Sequence, residues 1–186
     1  MENFGLGQDF VLDSSSIQSG AMATLPLFAL AAILDLVEKY VPALEDVSKA
    51  TQRSVLGLMG GARKPLIALG VSIGLGAAAG LGEEMLFRGV LQSELSHQIG
   101  ELLALGSSAL IFGALHAVTP LYALLAGVAS LYFGELYIQY DNLAVPIVCH
   151  GLYDVGALMA AHWSVSGMSE DDRIALANWE PPVGNP

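Results

Sequence analysis

Five apolar stretches divide the chain, at residues 21 to 37, 65 to 82, 102 to 118, 121 to 138 and 143 to 161. Each is close to the ~20 residues a helix needs to cross the hydrocarbon of a bilayer. The predicted fold is therefore all-α, a multipass transmembrane bundle with five crossings. A sixth helix is expected at about 83 to 98, where Phe87, Leu91 and Leu95 recur at four-residue spacing and Arg88, Gln92 and Glu94 interrupt the run. That pattern is amphipathic rather than lipid-facing. Composition agrees: 54% of the 186 residues are hydrophobic and 13% are charged, against about a quarter charged in a soluble domain. An intrinsically disordered chain is excluded, because it requires low hydrophobicity.

Residues 1 to 20, with Glu2, Asp9 and Asp13, read as a polar N-terminal tail, and residues 163 to 186 as an acidic, proline-bearing C-terminal tail. Between them one membrane-embedded domain is expected over 21 to 162. The formal charge of -11, with 7 basic against 18 acidic residues, argues against nucleic acid as a partner, since phosphate neutralisation needs clustered Lys and Arg. No Lys or Arg precedes Lys39, so the start has no basic signal-peptide region. Lys39, Lys49, Arg53, Arg63 and Lys64 all fall in the 38 to 64 connection, which the positive-inside rule assigns to the cytoplasmic side. The single cysteine, Cys149, excludes an internal disulfide and reads as a small buried residue. Gly70-x3-Gly74 and Gly76-x3-Gly80 either let helix backbones approach closely or reflect the ordinary abundance of glycine in membrane helices.

Ionisable groups inside apolar segments are expensive and point to function. Glu83 and Glu84 are consecutive and so face about 100° apart on a helix. Glu84 is i,i+4 to Arg88, which allows a charge-assisted pair. Glu83 is then left without a partner on its own helix, as a general base requires. The competing reading is a pair of glutamates capping a helix start. His116 ends the run from Leu110, one turn after Phe112, where a lone histidine is commonly interfacial. His150 and Asp154, also i,i+4, share one face as a carboxylate-oriented histidine, as two metal ligands, or as a private hydrogen bond. Three helices carry these groups, so they are expected to converge on a protected or water-filled interior.

In order and separation, Glu83-Glu84-x3-Arg88, Phe112-x3-His116 and His150-x3-Asp154 resemble the CPBP intramembrane proteases. That family comprises the type II CAAX prenyl endopeptidases and the Abi-type proteins linked to bacteriocin processing and immunity. The motif core spans residues 65 to 162. The resemblance implies a bundle of about six helices that hydrolyses a peptide bond within the membrane. Its substrate would be a membrane-associated protein, prenylated or not, or a peptide precursor. Carried over, Glu83 and His116 activate water, while His150 and the residue at 154 act at the oxyanion and Glu84, Arg88 and Phe112 support them. Asp154 stands where the best-known relatives have asparagine, and an ionised aspartate cannot donate to an oxyanion. It is therefore expected to orient and charge His150, or to be protonated.

The family name metalloprotease and the donors Glu83, His116, His150 and Asp154 leave zinc open as a cofactor, although His-Glu-x2-His is absent. The resemblance leans toward a metal-independent glutamate mechanism. A bacterial inner membrane and an organelle membrane both fit, with lipids and a protein or peptide substrate as partners. Two other readings stay open: a proton-coupled transporter, disfavoured by the absence of paired inverted halves, and a catalytically silent immunity or scaffold protein of the same fold.

Overall fold

The computed structural model describes residues 10 to 182, so Glu2 and Asp9 of the N-terminal tail lie outside the described residues. Every regular element among them is helical: α1 (Ser14–Val37), α2 (Pro42–Met59), α3 (Pro65–Glu84), α4 (Ser93–Ile99), α5 (Glu101–Leu115), α6 (Pro120–Tyr140), α7 (Ala144–Gly167) and α8 (Glu170–Ala177). A π-helical segment, Met85–Gln92, joins α3 to α4 without a break. Local chemistry sets several starts. Proline opens α2, α3 and α6, where its missing N–H costs nothing. Asp13 caps α1 by accepting from the Ser16 amide at 2.8 Å. That bond holds the Asp13 carboxyl below the usual carboxylate range. The cap starts α1 at Ser14, ahead of the apolar stretch at 21.

Among the described residues, four helices are long and apolar enough to cross a membrane, and they span Ser14–Tyr40, Pro65–Ile99, Pro120–Tyr140 and Ala144–Gly167. The chain is an all-α membrane bundle. The expected crossing at 102 to 118 is instead α5, with 15 residues. At 1.5 Å per residue it reaches about 22 Å, short of the ~30 Å hydrocarbon. The expected separate helix at 83 to 98 is the continuation of α3. Its orientation inverts the soluble pattern: Phe87, Arg88 and Gln92 are buried, while Leu81, Leu86 and Val90 are exposed toward the surrounding lipid. The 38 to 64 connection, read as a loop, contains α2. Its buried residues are Leu44, Ala50 and Val55, hidden in the sequence among charges.

The core is organised by α7, which packs against α1, α2 and α3. One of the two glycine pairs makes the α3–α7 seam. A methyl group on Gly76 would come within 2.6 Å of the Gly151 carbonyl oxygen, and one on Gly80 within 2.7 Å of the Ile147 oxygen. Only glycine permits that approach. Gly70 and Gly74 meet nothing within 4 Å, so this second pair is a lipid-facing commonplace. His162 is fully buried and accepts from the Lys64 amide at 3.4 Å, tying the start of α3 to α7. Tyr132 donates inward to the Ala23 carbonyl at 2.8 Å. Tyr137 meets Ser93 at 3.2 Å. Cys149 is buried and free, as expected.

Candidate active site

The α3–α7 seam carries Glu84 toward His150. With the backbones held together at Gly76 and Gly80, Glu84 Oε1 meets His150 Nδ1 at 2.7 Å and Arg88 Nη1 at 3.1 Å. The i,i+4 pairing of Glu84 and Arg88 expected from sequence is present. Glu84 and Arg88 are both 0% exposed. Arg88 then reaches α6, donating through Nη2 to the Ser130 carbonyl at 2.6 Å and Oγ at 2.8 Å. One turn further, Gln92 donates to the Gly134 carbonyl at 3.2 Å. Glu84, Arg88 and Gln92 thus form an inward polar ladder, and the low-dielectric surroundings make each of these bonds costly to break. The π-helical turn carries this ladder, in keeping with the tendency of such turns to mark functional sites.

Glu83 points elsewhere, into a cavity of about 330 Å³ whose wall also includes His116, His150, Asp154, Tyr122 and Phe133. Its Oε2 lies 3.6 Å from His116 Nε2 and 4.0 Å from His150 Nε2. That oxygen has no hydrogen-bond partner among the described residues. The side chains of Glu83 and His116 are 33% and 31% exposed, and Asp154 is 28% exposed. His116 caps α5, and its Nδ1 lies 2.8 Å from the Phe112 carbonyl oxygen. A carbonyl only accepts, so Nδ1 carries the proton and a neutral His116 turns the lone pair of Nε2 toward Glu83. The Phe112 ring stacks on His116 at 4.2 Å, which fixes the imidazole plane.

The short reach of α5 is what makes this position available. Stopping at Leu115, the helix leaves His116 to Thr119 as non-helical backbone, with His116 on the cavity wall. Such backbone is tolerated in a membrane where it lines a cavity or is buried in protein. Thr119 is buried and accepts from the Tyr122 amide at 3.1 Å, so the chain turns directly into α6.

His150 bridges the two groups. Its Nδ1 is bound to Glu84, its ring stacks on Phe133 at 4.6 Å, and its Nε2 faces the cavity 3.6 Å from Asp154 Oδ2. Glu84, not Asp154, is the carboxylate that orients this ring. Glu83, His116, His150 and Asp154 therefore gather at one cavity, while Glu84 and Arg88 stand behind it and Phe112 beside it. Sequence reading missed Ser130, Phe133 and Tyr122. Nothing in their local spacing distinguishes them from ordinary residues of an apolar helix.

The donors expected to hold zinc were Glu83, His116, His150 and Asp154. Among the described residues, no group of three or more His, Cys, Asp or Glu side chains is arranged to hold a metal ion.

No curated protein and no solved structure matches the chain. The family described as type II CAAX prenyl endopeptidase Rce1-like matches residues 65–156, a range that runs from the start of α3 past Asp154 and so includes Glu83, His116, His150 and Asp154. The seam, the ladder and the ionisable groups of the cavity therefore lie within the matched range, and over residues 65–156 the chain is similar to the Rce1-like family of type II CAAX prenyl endopeptidases.

Proposed function

We infer that the chain is an intramembrane endopeptidase that hydrolyses a peptide bond near the carboxyl terminus of a membrane-associated, prenylated protein, with Glu83 as the general base. The observation that carries this reading is the unpartnered Glu83 Oε2 on the cavity wall, 3.6 Å from His116 Nε2. Two acceptors at that separation suit a water ~2.8 Å from each, which donates one hydrogen to the carboxylate and one to the imidazole. Glu83 takes a proton as the water oxygen attacks the carbonyl carbon of the scissile bond. The carbonyl oxygen gains the negative charge. As the tetrahedral intermediate collapses, the C–N bond breaks and the proton held by Glu83 passes to the departing amine.

His150 supplies the oxyanion donor. Its Nδ1–H is spent on Glu84, so Nε2 donates into the cavity when the ring is an imidazolium, a state favoured by Glu84 at 2.7 Å and Asp154 at 3.6 Å. Asp154 supports that charge and does not itself contact the oxyanion. The scheme uses no metal, and a chelator tests it: unchanged turnover is expected, and loss of turnover restored by zinc would refute it.

The test of the peptidase reading is cleavage of a fluorogenic peptide ending in a farnesylated CAAX box by purified protein in lipid nanodiscs. Glu83→Gln and His116→Ala are expected to lower turnover by about 10²- to 10⁴-fold while melting like the native protein. Undiminished turnover in both would remove the assignment.

A further inference from the structure

A second concavity adjoins the active-site cavity. It measures about 500 Å³, lies between α1, α2 and α7, and shares Thr51, Leu125, Tyr153 and Ala157 with the smaller one. Its course follows from the packing of α1 on α7. Gly20 lies against Val148, Thr24 beside Cys149, and Phe28 against Tyr153 and Gly156. The two helices therefore run parallel, which brings the acidic end of α1 level with the end of α7. The groove is lined along α7 from Tyr153 to Ser164. That stretch is about 16 Å at 1.5 Å per residue, the length of roughly five residues of extended chain at ~3.3 Å each. Much of its wall is small: Ala31 and Ala32 on α1 and Gly156, Ala157, Ala160 and Ala161 on α7. Such a wall leaves room for a backbone with side chains.

The far end is different. Asp35 and Glu38 are the charged residues among those lining the groove, and both are acidic. Glu38 accepts from the Ser48 hydroxyl at 2.9 Å. Among the described residues, no cation forms an ion pair with either of them. Lys39 lies over the Tyr40 ring at 4.8 Å, Lys49 is paired with Glu45 at 2.7 Å, and Arg53 donates to the Ala177 carbonyl at 3.3 Å. The groove thus leads from the cavity along an apolar wall to a negative mouth.

We propose that this groove holds the segment preceding the scissile bond as an extended chain, and that Asp35 and Glu38 select substrates with lysine or arginine about five residues upstream. The inference rests on the peptidase reading, since it names the substrate class of that same site. The occupant is a peptide of apolar residues led by a cation, matched to the wall and to the mouth in turn.

The test separates binding from cleavage. Farnesylated CAAX peptides carrying lysine, serine or glutamate at the fifth upstream residue are titrated against Glu83→Gln protein in nanodiscs by fluorescence anisotropy. The native protein is assayed for cleavage of the same peptides. The lysine peptide is expected to bind about tenfold more tightly than the glutamate peptide at low ionic strength, with the gap closing in salt. Asp35→Lys, at an exposed position, is expected to reverse the order. Equal affinities for the three peptides in the Glu83→Gln protein, or an order unchanged by Asp35→Lys, would overturn the groove assignment. Charge-ordered binding without cleavage by the native protein would leave the groove standing and overturn the peptidase reading instead.

Discussion

Glu84 is fully buried, with Oε1 bonded to Arg88 at 3.1 Å and to His150 at 2.7 Å, whereas Glu83, the preceding residue, is one-third exposed and sets its Oε2 3.6 Å from His116 on the cavity wall; Oε2 of each lacks a hydrogen-bond partner among the described residues. The chemistry of the two side chains is the same. The helix turns one inward onto the α6–α7 interface and the other into a cavity. A carboxylate whose oxygen is committed to a guanidinium and an imidazole holds structure, and one left open beside a second acceptor is free to take a proton from water. The membrane sharpens the contrast, because an uncompensated charge finds no solvent in which to relax.

The contrast can be broken from either side. The largest effect on stability is expected from Arg88→Met, which leaves Glu84 buried without its guanidinium and the Ser130 carbonyl without its donor. About 3–5 kcal/mol should be lost in thermal or denaturant unfolding in lipid. A fully folded, native-like melt would show that the ladder is not structural. His116→Ala tests the cavity side, with turnover lowered about 10²- to 10³-fold and stability little changed. A comparable loss of stability would make His116 part of the scaffold.

Gly80→Val acts on the seam that joins the two sides. Its methyl groups would enter the space of the Ile147 carbonyl and Gly151, at a cost of about 1–3 kcal/mol. It should also lower turnover, by moving His150 away from Glu84. A variant with native turnover would uncouple the seam from the site. The smallest effect is expected at Asp13, far from both glutamates. Asp13→Ala removes the cap of α1, and turnover should be unchanged. Because the carboxylate is held below its usual range by the Ser16 amide, its contribution is present near neutrality and lost as the pH falls through the carboxylate range. An Asp13→Ala protein that melts no lower than the native protein at neutral pH would contradict the cap.

Much of the site could be read before the fold. The Glu84–Arg88 pair follows from i,i+4 spacing, and the convergence of Glu83, His116 and His150 follows from the intolerance of hydrocarbon for lone charges. What spacing could not reveal was the cross-helix partner. His150 and Glu84 are 66 residues apart, so the sequence offered Asp154, the local neighbour, as the orienting carboxylate. Ser130 was likewise invisible, because a serine in an apolar helix carries no sign of which side faces a buried arginine. The fold was legible in its class but not in its lengths. The stretch at 102 to 118 looked like a crossing because apolar residues continue beyond Leu115, yet the helix ends there to place His116. In α2, scattered charges masked an amphipathic helix that walls both the cavity and the groove.

The most direct measurement is the paired comparison of Glu83→Gln and Glu84→Gln in nanodiscs, with turnover of a farnesylated CAAX peptide and thermal unfolding recorded on the same samples. Glu83→Gln is expected to lose turnover by about 10³-fold with its melting transition intact, whereas Glu84→Gln should lower the transition as well. Cleavage by Glu83→Gln at the native rate, with the transition unchanged, would contradict the assignment of the catalytic base.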